Sequence, residues 1–261
     1  MLTTERIGRV VVATLSRPPV NALDDALIAQ LDAVLDEAGA DEQVAVLHIR
    51  SDQKAFCAGA DLALMRSCFA TPEGPEAMVD LVRRMQRVFA RLETAPLVTL
   101  AEIGGAAIGG GLELALACDL RVAAAEATLG LTEVALGLLP AAGGTQRLTR
   151  LAGRGVAKRL ILGAELCNGS EAERLGIVQW ARPRAQLADW TRELACRLAG
   201  MPKAALTAAK RCIADAGEPS RDGYAAELVA TRILYDHPET RRRVAAFLDR
   251  STTQPRAKEQ S

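Results

Sequence analysis

Residues 108–119 read Ile108-Gly-Gly-Gly-Leu-Glu-Leu-Ala-Leu-Ala-Cys-Asp119, and this stretch decides the fold. Three glycines run straight into an apolar helical segment. Bare glycines let backbone amides approach a ligand with no side chain in the way, and the first N–H groups of a helix have no partner inside it. The helix start also carries partial positive charge, which favours an oxygen that is gaining negative charge. Glu113 falls in the first turn, among Leu112, Leu114 and Leu116. The pattern leaves two roles open for it: an acid/base turned towards the glycines, or a first-turn acid that complements the dipole and faces water.

Upstream, Pro96-Leu-Val-Thr-Leu100 reads as a strand that feeds the glycine-rich turn. The same sequence of strand, turn and helix occurs earlier. Val10-Val-Val-Ala-Thr-Leu15 is a strand stopped by Arg17-Pro-Pro19. Asp24 to Ala38 places Leu27, Leu31, Val34 and Leu35 at helical spacing. Val44 to Ile49 is a short buried strand, and Cys57-Ala-Gly-Ala-Asp61 breaks the chain before a helix that Asp61 caps. Residues 67–76 read as a loop and 77–93 as a helix. The layout is α/β.

Beyond Arg147 the pattern is almost wholly helical. Ser170-Glu-Ala-Glu173 has the form of a capping box, Ile177 to Trp180 is one last strand, and helices are expected at 185–199, 203–215, 221–235 and 239–249. The expected division is a catalytic core over 1–195, a helical region over 196–250 and a polar tail over 251–261.

Composition excludes several classes. The chain has 261 residues, with 32 basic and 32 acidic side chains and a net charge of +0. That balance disfavours a protein held to nucleic acid by counterion release, or a polybasic membrane binder. Six scattered cysteines without a CxxC pair suggest buried free thiols in a reducing, cytoplasmic setting. The N-terminus has no signal-peptide pattern, and the apolar run from Ala95 to Leu120 is broken by Glu102, Glu113 and Asp119, so no membrane span is expected. His48 and His237 both suit structural roles. No HExxH, GxSxG or GxxxxGK[ST] motif occurs, no metal set is evident, and Gly104 to Gly111 lacks the GxGxxG register.

One further acid stands out. Glu133 is the only acid between Glu126 and Glu165, and apolar residues surround it. A buried carboxylate must be paired, protonated or poised for chemistry. Two glutamates near a glycine-rich amide cradle suggest proton transfer beside an activated carbonyl.

Cys57-Ala-Gly-Ala-Asp-Leu62, Gly109-Gly-Gly-Leu-Glu-Leu-Ala-Leu-Ala-Cys-Asp-Leu120 and Pro140-Ala-Ala-Gly-Gly-Thr-Gln-Arg-Leu148 together resemble the crotonase superfamily, and enoyl-CoA hydratases in particular. The resemblance covers about residues 5–250. It implies a spiral of ββα units with a helical C-terminal trimerisation region, assembled as a homotrimer or dimer of trimers. It implies an acyl-CoA thioester substrate, no metal, and no cofactor beyond the coenzyme A of the substrate itself. By motif matching, the N–H groups of Ala60 and Gly110 form an oxyanion hole, Glu113 orients and deprotonates water, and Glu133 delivers a proton to the α-carbon. Asn21, Ala22 and Leu23 match a loop that wraps the nucleotide, while Ala58, Asp61, Leu62, Gly109, Pro140 and Ala141 fall in the substrate-binding motifs. Phe247 and Arg250 match residues that reach the nucleotide of a neighbouring subunit.

Some positions depart from the pattern: Ala141 stands where glycine is common, Ile103-Gly104 where Asn-Gly is, and Arg242-Arg243 where Glu-Gly is. Within this superfamily an isomerase typically keeps only the acid matching Glu133, so Glu113 favours hydration. The run from Gly111 to Ala124 is also similar to methylglutaconyl-CoA hydratases, which keeps a branched substrate in view. A relative that binds RNA does so through lysines on the first long helix. The matching helix here carries Asp24, Asp25, Asp32, Asp36 and Glu37 without a Lys or Arg, a face that repels phosphate.

Overall fold

The computed structural model describes residues 1–216 and 220–253, with side chains through 248. Two compact units divide after Gly200. The division comes at the end of a helix, Arg184–Ala199, whose Leu187, Thr191, Leu194, Ala195 and Ala199 are buried. A boundary at 195 cuts through that helix.

The first unit is built on a six-stranded sheet. Its strands are β1 (Leu2–Ile7), β2 (Val10–Leu15), β3 (Val46–Ser51), β4 (Val98–Ile103), β6 (Leu120–Ala124) and β9 (Trp180–Arg182), in that spatial order. β1 turns back antiparallel on β2 through Gly8, at φ +60°, and the rest run parallel. Runs such as Val46-Leu-His-Ile49 and Val98 to Ile103 are buried throughout, as expected of parallel strands covered on both faces.

A second sheet of three short strands, β5 (Ala107–Ile108), β7 (Thr128–Gly130) and β8 (Cys167–Asn168), carries the chain past the glycine run. Isolated bridges extend this layer: Cys57 pairs with Ala107, and Ala60 with Leu23. Segments 20–23, 57–61, 106–109 and 128–130 therefore lie side by side, each giving backbone hydrogen bonds to the next.

Helix α1 (Asp25–Ala40) starts where the Asp24 carboxylate accepts from Leu27 N, and it buries Leu27, Ile28, Leu31, Val34, Leu35 and Ala38. Helix α2 (Leu62–Cys68) is capped by Asp61. Helix α3 (Gly74–Thr94) buries Leu81, Met85, Val88, Phe89 and Leu92 and packs on α1. The loop expected at 67–76 is shorter than predicted, since α2 runs to Cys68 and α3 starts at Gly74. A Cβ at Gly74 would collide with the Cys68 carbonyl, so glycine allows the tight corner. Helices α4 (Gly110–Leu116), α5 (Gly144–Leu162), α6 (Gly169–Arg174) and α7 (Arg184–Ala199) complete the unit. The N-cap of α6 is Asn168, which accepts from Glu171 N, and not Ser170 as the capping-box reading expects.

The second unit contains α8 (Lys203–Asp215), α9 (Gly223–Asp236) and α10 (Pro238–Thr253). In α10 the departing pair Arg242 and Arg243 both close on Glu239, the i−3 and i−4 acid of their own helix. His237 Nδ1 accepts from Glu239 N at 3.3 Å, and His48 Nε2 lies 3.1 Å from Glu102 Oε2 inside the first unit. All six cysteines are free, but only Cys57, Cys118 and Cys167 are buried. Cys196 is exposed on α7, against the expectation that all six are internal. Among the described residues no helix is long and apolar enough to cross a membrane, and no cluster of three potential metal ligands occurs.

Candidate active site

The site forms where segment 57–61 meets the start of α4. Gly59 and Gly109 both take positive φ, +91° and +53°, conformations that strain any residue with a Cβ. A Cβ on Gly59 would lie 2.9 Å from Ile108 O and 3.2 Å from Gly110 N, so the two backbone stretches touch. Hydrogen bonds hold them in place. Cys57 N donates to Ala106 O, Ile108 N to Cys57 O and Gly109 N to Gly130 O, while Leu23 N donates to Gly59 O and Asp61 N to Leu23 O. Two amides between these anchors, Ala60 N–H and Gly110 N–H, donate to no group among the described residues. Ala60 N–H lies between the paired Ala58 and Asp61 amides, and Gly110 N–H is the first of the open amides that start α4, so two donors stand available side by side, as an oxyanion hole requires.

Glu113 lies one turn into α4 and is 2% exposed, so the solvent-facing role left open by the sequence does not hold. Its Oε1 accepts from Gly144 N at 2.7 Å, a hydrogen bond from the first residue of α5. A Cβ on Gly144 would meet Glu113 Oε1 and Pro140 Cβ, both at 2.9 Å, so glycine permits this contact. Burial pushes the Glu113 carboxyl up to about 7, and the nearby Glu133 adds to the rise. The Gly144 and Ala142 amides and Arg147 pull the other way.

Glu133 opens a 3-10 turn, Glu133–Leu136, just after β7. Because β7 pairs with β5, the turn brings the carboxyl onto the α-carbon of Gly109: a Cβ there would lie 2.9 Å from Glu133 Oε1. Burial raises this carboxyl too, and its buried Oε2 has no hydrogen-bond partner. An acceptor left open beside the two free amides is a place for a water or a substrate atom.

The other residues singled out by the sequence fall into three groups. Ala58, Ala60, Asp61 and Leu62 line one rim, with Ala58 and Leu62 exposed. Asp61 caps α2 through Ala63 N and Leu64 N and also takes an ion pair from Arg17, which holds its carboxyl below the usual range. Pro140 is buried, and Ala141 gives its carbonyl to Gln86 of α3 at 2.6 Å.

Asn21, Ala22 and Leu23 back the 58–61 segment. Asn21 is fully buried at φ +53°. Its side chain accepts from Arg17 N and donates to Ser51 Oγ and Phe56 O, so it shapes the loop and leaves no polar group to reach outward. Leu23 and Met85 close the floor against Gly110.

Phe247 and Arg250 belong to the second unit. Phe247 is exposed on α10, and the Arg250 side chain lies outside the described residues.

Sequence reasoning missed Arg17, Gly144 and Arg147. Two of these stand in the quoted Gly143-Gly-Thr-Gln-Arg147 run, so the motif carried the signal.

A two-layer α/β spiral with two open amides, a buried glutamate and a half-buried one defines the crotonase class of acyl-thioester site. The sequence profile described as enoyl-CoA hydratase/isomerase matches residues 5–254, and the chain belongs to that family. It is 36% identical over 211 residues to the short-chain-enoyl-CoA hydratase of Clostridium acetobutylicum, covering 80% of this chain and 79% of that one. It is 33% identical to the 2,3-dehydroadipyl-CoA hydratase of Escherichia coli, over 96% of each chain. Among solved structures, an enoyl-CoA hydratase from Bacillus anthracis aligns with a TM-score of 0.89 at 32% identity, over 95% of this chain and 96% of that one.

Proposed function

We propose that this chain is an enoyl-CoA hydratase, adding water across the 2,3 double bond of a 2-enoyl-CoA thioester to give a 3-hydroxyacyl-CoA. The observation that carries this reading is a pair of carboxyls close enough for Glu133 to raise Glu113, with Glu133 Oε1 against Gly109, next to the open Gly110 amide, and Glu113 held by Gly144 N one turn into the same helix. The thioester oxygen accepts from Ala60 N–H and Gly110 N–H. Each amide contributes about 3 kcal/mol as negative charge builds on that oxygen in the enolate-like transition state.

Glu113, ionised, takes a proton from water while the oxygen bonds to the β-carbon. Glu133, protonated, gives its proton to the α-carbon. A proton then passes from Glu113 to Glu133 to restore the starting state. Carboxyls raised towards neutrality suit both halves of this exchange, and the two titrate as a coupled pair. The chemistry needs no metal or redox group.

Glu113 also argues for hydration over double-bond migration. An isomerase shuttles one proton and has no use for a second acid clamped at 2.7 Å to a backbone amide. The CoA moiety is expected along the loop that Asn21 and Leu23 anchor, on the side of part-exposed Ala22, with Phe247 and Arg250 supplied by a neighbouring copy. Exposed Ile213, Tyr224, Leu228, Val229 and Ile233 on the second unit support a homo-oligomer, read as a trimer or dimer of trimers. Six free cysteines support a reducing, cytoplasmic compartment.

The test is direct. Purified protein mixed with crotonyl-CoA should remove the ultraviolet absorbance of the enoyl thioester. Absorbance that stays constant with crotonyl-CoA and with longer or branched 2-enoyl-CoAs rejects the reading.

A further inference from the structure

The Pro140–Gly144 loop carries the amide that fixes Glu113, and an arginine lies beneath it. Arg147 is only 8% exposed. Its Nη1 donates to Ala142 O at 2.8 Å, and a Cβ on Gly143 would collide with that same nitrogen, so the Nη1 end of the guanidinium fills the space beside Gly143. Its Nη2 donates to Glu93 Oε2 at 2.7 Å, on α3. Gln86, two turns earlier on α3, reaches Ala141 O. Helix α3, whose Met85 closes the floor below Gly110, thus braces the loop at two points.

We propose that Arg147 is a positioning residue for Glu113: gripping Ala142 O and the face of Gly143, and braced by Glu93, it fixes the Gly144 N–H that orients the Glu113 carboxylate.

The chemistry of the side chain supports this. A guanidinium holds its donors in a rigid planar fork that serves a carbonyl and a carboxylate in fixed directions, whereas an ammonium is a compact charge on a flexible stem that does not fix the two together. An apolar residue would fill the same space without burying a charge, so packing alone does not account for an arginine. The charge also acts on Glu113 directly, favouring its ionised form against burial and against Glu133. The charged or titratable groups around Glu113 are Glu133 beyond Gly109, Arg147 on α5 and the Cys57 thiol beside Gly111. Glu93 and Arg150 lie behind Arg147.

The test uses Arg147→Gln, Arg147→Lys and Glu93→Gln. Its kinetic half rests on the hydratase reading, and its stability half does not. With crotonyl-CoA, Arg147→Gln should lower kcat by about thirtyfold or more with KM changed by less than about threefold. The acidic limb of its kcat–pH profile should move up by about one pH unit. Arg147→Lys should restore the pH midpoint but only part of kcat, and Glu93→Gln, a change at a half-exposed site, should fall between.

For stability, Arg147→Gln is measured with and without Glu113→Gln. At pH 8 it should raise the unfolding constant about tenfold more when Glu113 is present, and equally in both backgrounds at pH 5. If Arg147→Gln does not fold, the Lys and Glu93 variants are measured in the same cycle. Equal destabilisation in both backgrounds at pH 8, or folded variants with unchanged kcat and pH midpoint, overturns the proposal. If the wild type does not hydrate enoyl-CoA, the hydratase reading fails while the stability cycle still decides the role of Arg147.

Discussion

Replacing Glu113 by glutamine should make the protein more stable above neutral pH, and the size of the gain follows from the site. The carboxyl is 2% exposed, and its midpoint rises from 4.5 to about 7 on folding. A carboxyl raised in the folded state binds its proton more tightly there than in the unfolded chain. Its contribution is therefore fully present below 4.5 and is lost as pH climbs through about 7. The full difference corresponds to about 3 kcal/mol of stability lost by pH 8.

A glutamine at 113 keeps an oxygen for the Gly144 N–H and carries no charge to bury, so it escapes that loss. Carboxyls held low, such as Asp61 beside Arg17 and Glu239 beside Arg242 and Arg243, work in the opposite direction but do so equally in both proteins. Urea unfolding at pH 5 and pH 8, at one fixed protein concentration, measures the difference. The variant should gain about 2–3 kcal/mol on the wild type between the two pH values. A difference between the two proteins that does not change with pH refutes the argument that Glu113 is held ionised at a cost.

Two other substitutions read separate parts of the site. Gly109→Ala places a Cβ at φ +53° and 2.9 Å from Glu133 Oε1. It should cost about 1–3 kcal/mol of stability and lower kcat about a hundredfold, with unfolding and steady-state kinetics as the assays. An unchanged kcat would mean that Glu133 does not act from that position. Asn21→Ala removes a fully buried side chain that holds Arg17 N, Ser51 Oγ and Phe56 O. It should destabilise by about 3 kcal/mol by leaving Arg17 N and Phe56 O unpaired, while Ser51 Oγ keeps Ala55 O and Gln53 N, and a shift below about 0.5 kcal/mol in denaturant unfolding contradicts that role.

The legible parts of the sequence were those with local causes. Asp61 caps the helix that follows it, and α7 to α10 lie where apolar spacing puts them, because caps and periodicity act within a turn or two. Long-range features were not legible. Strand β1 reads as a polar N-terminus and is strand only because β2 pairs with it. The three-stranded second sheet consists of segments two or three residues long, too short to show a period, yet it brings Glu133 onto Gly109.

Glu113 shows the same limit. One turn of helix cannot say whether its carboxyl meets water or protein, and the answer comes from Gly144, thirty-one residues away. Motif resemblance supplied the pairing of the two glutamates. It did not supply the loop, Arg147 and Glu93 behind them, since their roles appear only once the Glu93 side chain of α3 reaches Arg147 of α5.

The central claim is that two glutamates share one hydration step, and a single experiment tests it: the rate of absorbance loss from crotonyl-CoA with the wild type, Glu113→Gln, Glu133→Gln and the double variant. The account predicts that each single variant is slower by a factor of about 10²–10⁴, and that the double variant is far less impaired than the product of the two. A single variant that keeps the wild-type rate, or losses that multiply as independent effects, would contradict it.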